Sequence, residues 1–229
     1  MPNFLARSIV FAVAVVPLGV LACRSAQSPR NSTEGATSTA RVASVQAAPN
    51  QLSETERAAG WRLLFDGRTL DGWRGLGRDT IPTQHWIVES GTIKKIPSGQ
   101  VPVQADGQPL AGGDLMTTAT FGDFELVWQW KVTPGANSGL KYNVSEELST
   151  STPPRHAAKG FEYQILDDDR HPDGALATHR TGALYDLFAP NDRKRLRPVG
   201  EWNDSRIVFR DAHGEHWLDG EKGVEFDLG

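Results

Sequence analysis

The chain has 229 residues, a formal net charge of −4 and charged side chains at 23% of positions. No basic run stands out, so nucleic acid is not an expected partner. A single cysteine excludes a disulfide within the chain. The length leaves room for one domain with a sizeable core.

From the N-terminus, residues 1–23 read as a secretory signal: an early Arg7, an apolar run from Ile9 to Val20, then Leu21-Ala22-Cys23. The run is too short for a comfortable membrane span. Val20-Leu21-Ala22-Cys23 resembles a bacterial lipobox, whose cysteine is acylated after cleavage at its amino side. An acylated Cys23 would tether a soluble domain to a membrane. An ordinary signal with an incidental cysteine is the other reading. Arg24 rather than Asp comes next, which favours the periplasmic side of an outer membrane. Residues 24–51 are rich in Ser, Ala, Thr, Asn, Gln and Pro and read as a disordered tether. Ser53 and Glu56 stand at capping-box spacing for a short helix, so the globular domain is expected over residues 52–229.

Past that helix the domain reads as strands and loops. Trp86 to Ile93 suggests a hairpin turning at Glu89-Ser90-Gly91, and Phe124 to Lys131 alternates cleanly. Asn137-Ser138-Gly139 reads as a tight turn before an alternating Gly139 to Val144. Asp192-Arg193-Lys194-Arg195 reads as a solvated loop, and Glu201-Trp202-Asn203 as a capped loop with Trp202 in the core. Arg206 to Arg210 alternates again, and Glu215 to Leu218 runs into an Asp219-Gly220 hairpin signal. No helical period of useful length appears after residue 60. The expected fold is an all-β sandwich of jelly-roll type. Most of the seven tryptophans should be core, with one or two free to stack on a sugar.

The most informative segment is Gly160 to Asp173. Phe161, Tyr163 and Ile165 alternate with Glu162 and Gln164, and Asp167-Asp168-Asp169-Arg170-His171 comes directly after Leu166. A strand that sends acid and amide one way and then ends in carboxylates suits a polar site at a sheet rim. A solvent-facing strand leading into a polar turn gives the same pattern.

Several ordered motifs carry a resemblance. Leu64 to Trp73, Gly112-Gly113-Asp114-Leu115-Met116-Thr117, Phe121 to Glu125 and Gly135 to Tyr142 are four of them. Gly160 to Asp173, Gly182 to Leu187, Pro198 to Asn203 and His216 to Gly220 complete the set. Together they resemble the 3-keto-disaccharide hydrolase domain family over residues 60–229. The resemblance implies a concanavalin A-like jelly-roll β-sandwich. Members of that family usually continue past the His216 to Gly220 hairpin through a Gly-rich strand with a Gln-Asp-His motif and a final strand. This sequence ends at Val224 to Gly229, as a fragment, a truncated gene model or a divergent end would; a real truncation would remove closing strands and expose a sheet edge.

The chemistry implied is cleavage of 3-keto-glycosides. A ketone at C3 acidifies the C2–H; a base removes that proton, the enediolate expels the C1 oxygen, and water then adds. Such a site needs a base at C2, an electropositive group at the C3 oxygen and an acid for the leaving group. Glu162 and Asp167 are the candidate bases, Lys141 the candidate for the enolate charge, and His216 an acid or base near neutral pH. Gln164, Asn137, Tyr185, Trp202 and Arg206 are candidates for sugar contact. Alternatively Glu162, Asp167, His171 and His216 form a divalent metal site. The implied partners are a 3-keto-glycoside, a membrane reached through Cys23, and a sugar 3-dehydrogenase that makes the ketone. A non-catalytic carbohydrate-binding module and an envelope scaffold are the other functional readings.

Overall fold

The computed structural model describes residues 49–97, 113–153 and 155–229, and the backbone of residues 4–13. Cys23 and most of the expected signal and tether lie outside the described residues. The described chain is built from twelve strands. They are β1 (Phe4–Val13), β2 (Trp61–Leu63), β3 (Trp73–Gly75), β4 (Trp86–Glu89), β5 (Thr92–Lys95) and β6 (Leu115–Thr117), then β7 (Phe124–Val132), β8 (Asn137–Tyr142), β9 (Phe161–Leu166), β10 (Asn203–Arg210), β11 (His213–Leu218) and β12 (Glu221–Asp227). The fold is all-β, as the alternation predicts, and agrees with a jelly-roll sandwich.

The large sheet runs β12-β11-β10-β7-β1-β5-β4, with β2 also on β1. β8 and β9 form a second sheet, and β3 and β6 a third. β1 pairs in parallel with β7, β5 and β2. The remaining pairings in the large sheet are antiparallel. Part of the expected signal therefore lies in this sheet. Cleavage ahead of Cys23 would withdraw β1 and leave the facing edges of β7 and β5 unpaired.

The core forms between the large sheet and β8–β9. Alternation in β7 buries Phe124, Leu126, Trp128, Trp130 and Val132 and leaves Glu125, Val127, Gln129 and Lys131 on the other face. Trp128 meets Tyr163 edge to face at 4.9 Å. Ser205 joins the layers: Trp130 Nε1 donates to its hydroxyl at 2.8 Å, and that hydroxyl shares a 2.8 Å bond with the Tyr163 phenol. Tyr163 in turn donates to Trp217 O at 3.1 Å. The polar atoms of Trp130, Ser205 and Tyr163 are thus partnered, whereas Trp128 Nε1 is buried without a hydrogen-bond partner among the described residues.

Local signals hold where the backbone itself dictates them. Ser90 and Gly91 have φ of 51° and 73°, and Asp219 and Gly220 have 45° and 84°, so each pair makes a hairpin turn of the I′ kind. Ser53 and Glu56 make both halves of the capping box on α1 (Glu54–Ala58). Two expectations are corrected, at Asn137 and at Lys194. Asn137-Ser138-Gly139 is the first half of β8 rather than a turn, because it pairs residue by residue with Gln164, Ile165 and Leu166. The helix α2 (Glu146–Ser151), capped by Ser145, is too short to show a period. Lys194 is not a solvated loop residue, since its side chain is 14% exposed and ion-paired to Asp168.

Candidate active site

The site grows from the pairing of β8 with β9. Directly opposed residues in an antiparallel pair share a face. Lys141 opposes Glu162, Gly139 opposes Gln164 and Asn137 opposes Leu166. Their neighbours Tyr142, Tyr163 and Ile165 point into the core. The free edge of β9 is paired by the segment after it. Gln164 N–H donates to Ala183 O, Gly182 N–H to Gln164 O and Tyr185 N–H to Glu162 O. Gln164 is only 1% exposed. Glu162 and Lys141 keep 20% and 31% of their side-chain surface, and Asn137 and Gly139 are exposed, so the polar face of β8 and β9 is a half-open wall.

Glu162 Oε2 lies 3.3 Å from Lys141 Nζ, and that ammonium also donates to Ala158 O at 3.0 Å. Burial pushes the Glu162 carboxyl above its ordinary range; Lys141 counters this, and Asp114 and Asp186 add to it. The carboxylate rests directly over Gly139: a Cβ at that residue would stand 1.8 Å from Glu162 Oε1. Only glycine leaves room for it there.

Beyond Glu162 the wall continues. Gln164 donates to Asn137 Oδ1 at 3.2 Å, and Asn137 Nδ2 donates to Asp173 Oδ2 at 3.2 Å. The Tyr185 phenol reaches the same Asp173 oxygen at 3.4 Å. Burial first, then Asp173, Asp186 and Glu162, push Tyr185 up to about 12, so at neutral pH it is a hydroxyl donor. The Tyr185 ring stacks on His179 at 4.2 Å. His179 Nε2–H donates to Asp186 Oδ1 at 2.6 Å. Two 3₁₀ turns, Pro172–Ala175 and Ala177–His179, place Asp173 and His179, and Asp186 N–H donates back to Thr178 O.

The expected site residues thus divide. Glu162, Lys141, Gln164, Asn137 and Tyr185 come together. His216 does not join them. Alternation in β11 turns it inward against Tyr163, where Nδ1–H donates to Gly182 O at 3.2 Å and Nε2 accepts from the Tyr142 phenol at 2.8 Å. Burial holds it down to about 4, so it is a neutral core imidazole. Asp167 is a loop anchor: it accepts from Gly135 N–H at 2.7 Å and pairs with Arg170 at 3.3 Å. Burial raises its carboxyl, but Gly135 and Arg170 outweigh that and hold it low. His171 caps the first 3₁₀ turn, its Nδ1 accepting from Asp173 N–H at 3.2 Å.

The four-residue metal set is not assembled. Among the described residues, only His213, Glu215 and Glu225 bring three such ligand atoms within 4.8 Å of one another, on the β11–β12 hairpin. Arg206 and Trp202 are also elsewhere. Arg206 points away from the core on β10, paired with Glu125 at 2.7 Å and stacked over Trp217. Trp202 is covered by the Lys131 ammonium at 4.8 Å. Sequence reasoning missed Asp173 as a site residue, and with it His179 and Asp186. They sit in turns without periodicity; their proximity to Tyr185 was the available signal.

The fold and this wall define an all-β sandwich with a cluster of acid and base side chains on its β8–β9 sheet. The chain belongs to the 3-keto-alpha-glucoside-1,2-lyase-like domain family, whose model matches residues 60–229. It is 36% identical over 179 residues to the 3-keto-disaccharide hydrolase of Bacteroides thetaiotaomicron, covering 75% of this chain and 60% of that protein. The chain thus spans less than two thirds of that relative. A Parabacteroides distasonis crystal structure, provisionally named a glycosyl hydrolase, matches with a TM-score of 0.65 and 32% identity. That match covers 79% of this chain and 77% of the other.

Proposed function

We propose that this domain is a glycoside-cleaving enzyme acting on 3-keto-glycosides by elimination and hydration. The observation that carries this reading is the half-buried Glu162–Lys141 pair across β8 and β9, with the carboxylate seated over Gly139. A base for a carbon acid works best with a raised pKa and an adjacent cation for the enolate. Glu162 takes the C2 proton, and Lys141 faces the C3 oxygen as charge develops. Asn137 orients a sugar hydroxyl, and the buried Gln164 holds Asn137 in place. The names of the matched relatives point the same way. The tryptophans favour catalysis over a pure binding module, because the rings of Trp202 and Trp217 are already capped by Lys131 and by Arg206 and Lys222.

The test is exchange of the C2 hydrogen of a 3-keto-glucoside in deuterated water, together with aglycone release. Exchange and release by the wild-type chain, both lost in Glu162→Gln, support the reading; a folded chain that does neither overturns it. The ketone substrate implies an upstream sugar 3-dehydrogenase. We also infer acylation at Cys23 and a periplasmic, outer-membrane tether; incorporation of a labelled fatty acid that survives Cys23→Ala would defeat that inference.

A further inference from the structure

With His216 locked in the core, the imidazole expected from the sequence as acid does not reach the leaving group. The structure offers another imidazole and a carboxyl, joined to Glu162 through Tyr185. Asp186 fixes the Nε2–H of His179, so the opposite nitrogen, Nδ1, carries the lone pair. His179 is 9% exposed, and its Nδ1 is buried without a hydrogen-bond partner among the described residues. A buried polar atom left unpartnered calls for an explanation. Nδ1 faces Asp173 Oδ1 at 3.7 Å, too far for a hydrogen bond in this state.

Asp173 is differentiated in the same way. Its Oδ2 accepts from both Asn137 and Tyr185, while Oδ1 is left toward the imidazole. Its side chain is 34% exposed against 11% for His179, so Asp173 is the end of the chain that opens outward. Tyr185 links the two halves of the site: its backbone N–H holds Glu162 O, and its phenol holds Asp173. Asp186, which fixes the imidazole, is held at φ 65°, a left-handed conformation uncommon outside glycine.

We propose that Asp173 Oδ1 and His179 Nδ1 together hold the proton that is delivered to the departing glycosidic oxygen, with Asp186 fixing the imidazole. This rests on the 3-keto-glycoside reading of the site. Glu162 removes the C2 proton and its electron pair forms the enediolate. The C1–O bond breaks as the C1=C2 bond forms and the C3 ketone returns; the leaving oxygen takes the proton from Asp173. Water then adds at C1, giving its proton to the Asp173 carboxylate, and Glu162 returns a proton to C2. The sum is hydrolysis, with both groups restored. Asp173 is the catalytic acid; His179 and Asp186 are positioning residues that act through it.

Leaving-group dependence tests this. The full chain is assayed on methyl and 4-nitrophenyl 3-keto-glucosides, both anomers, alongside C2 hydrogen exchange. Methoxide must be protonated as it leaves and nitrophenolate need not be. Asp173→Asn and His179→Gln are expected to lose about 100-fold or more on the methyl glycoside and only a few-fold on the nitrophenyl glycoside. C2 exchange should survive in both variants. Asp186→Asn should show the same selectivity, more weakly. Equal losses on the two glycosides, or none, would overturn the assignment, as would loss of C2 exchange. Should His179→Gln fail to fold, Asp173→Asn alone decides, since its amide keeps an acceptor for Tyr185. Wild-type exchange without cleavage of either glycoside would keep Glu162 as base and reject the acid. Absence of both would reject the glycoside reading and this proposal with it.

Discussion

Two polar strand faces in this molecule look alike in sequence and have opposite fates. On β9, Glu162 and Gln164 alternate with Phe161, Tyr163 and Ile165. On β10, Asp204, Arg206 and Arg210 alternate with Ser205, Ile207 and Phe209. The β10 face stays at the surface and becomes an ion-pair lattice, in which Glu125 holds Arg206 at 2.7 Å and Arg210 at 3.3 Å. On the β9 face Gln164 is buried and burial pushes the Glu162 carboxyl up, while Glu162 and Lys141 keep 20% and 31% of their side-chain surface. Alternation makes a polar face; what packs over it decides whether it becomes a wet lattice or a reactive wall.

Four substitutions or titrations break or sharpen this contrast. Glu162→Gln should lower turnover of a 3-keto-glucoside by about 10³-fold or more with its melting curve retained. A loss of folding instead would show that the wall is structural. Gly139→Ala should come next: the added methyl pushes the Glu162 carboxylate off its seat, and a misplacement on that scale costs about 100-fold in rate. Its readout is kcat with the far-ultraviolet circular dichroism unchanged.

Titration of His216 tests the third polar group, the one inside the core. The folded chain resists protonating it down to about 4, whereas the unfolded chain takes the proton near 6.5. Stability is therefore full above pH 6.5 and falls as the pH drops toward 4, by about 3 kcal/mol from this group. Denaturant midpoints across that window, compared with His216→Gln, isolate the slope; an unchanged slope would place the titration elsewhere. Arg206→Ala should do least. The Glu125 pair at the surface is worth within about 1 kcal/mol, and turnover should not change. A large loss of turnover would move the sugar site to the β10 face.

Particular residues show what was legible in the sequence. The strands at β7, β9 and β10, the hairpin turns at Ser90-Gly91 and Asp219-Gly220, and the Ser53 cap are local choices of backbone and neighbour, so spacing reveals them. Glu162 was legible for the same reason: an acid at the middle of an aromatic strand. His216 was not, because alternation assigns a residue to a face without saying which face is inside; the packing of β11 on Tyr142 and Tyr163 settled that. Asp173, His179 and Asp186 lie in 3₁₀ turns and a loop, where no period marks a side chain's direction.

The sequence by itself determined the all-β class, the turns of the main hairpins and the placing of Glu162 and Gln164 on one strand face. These follow from two-residue periodicity and from positive-φ turns, which act within a few residues. Only the tertiary structure decided that Lys141 stands opposite Glu162 and that residues 182–185 pair with the free edge of β9. It alone decided that His216 is sealed, that His179 is not hydrogen-bonded at Nδ1, and that Arg206 points away. Those outcomes depend on which distant segment removes water from a given side chain, and desolvation is a property of the packed molecule.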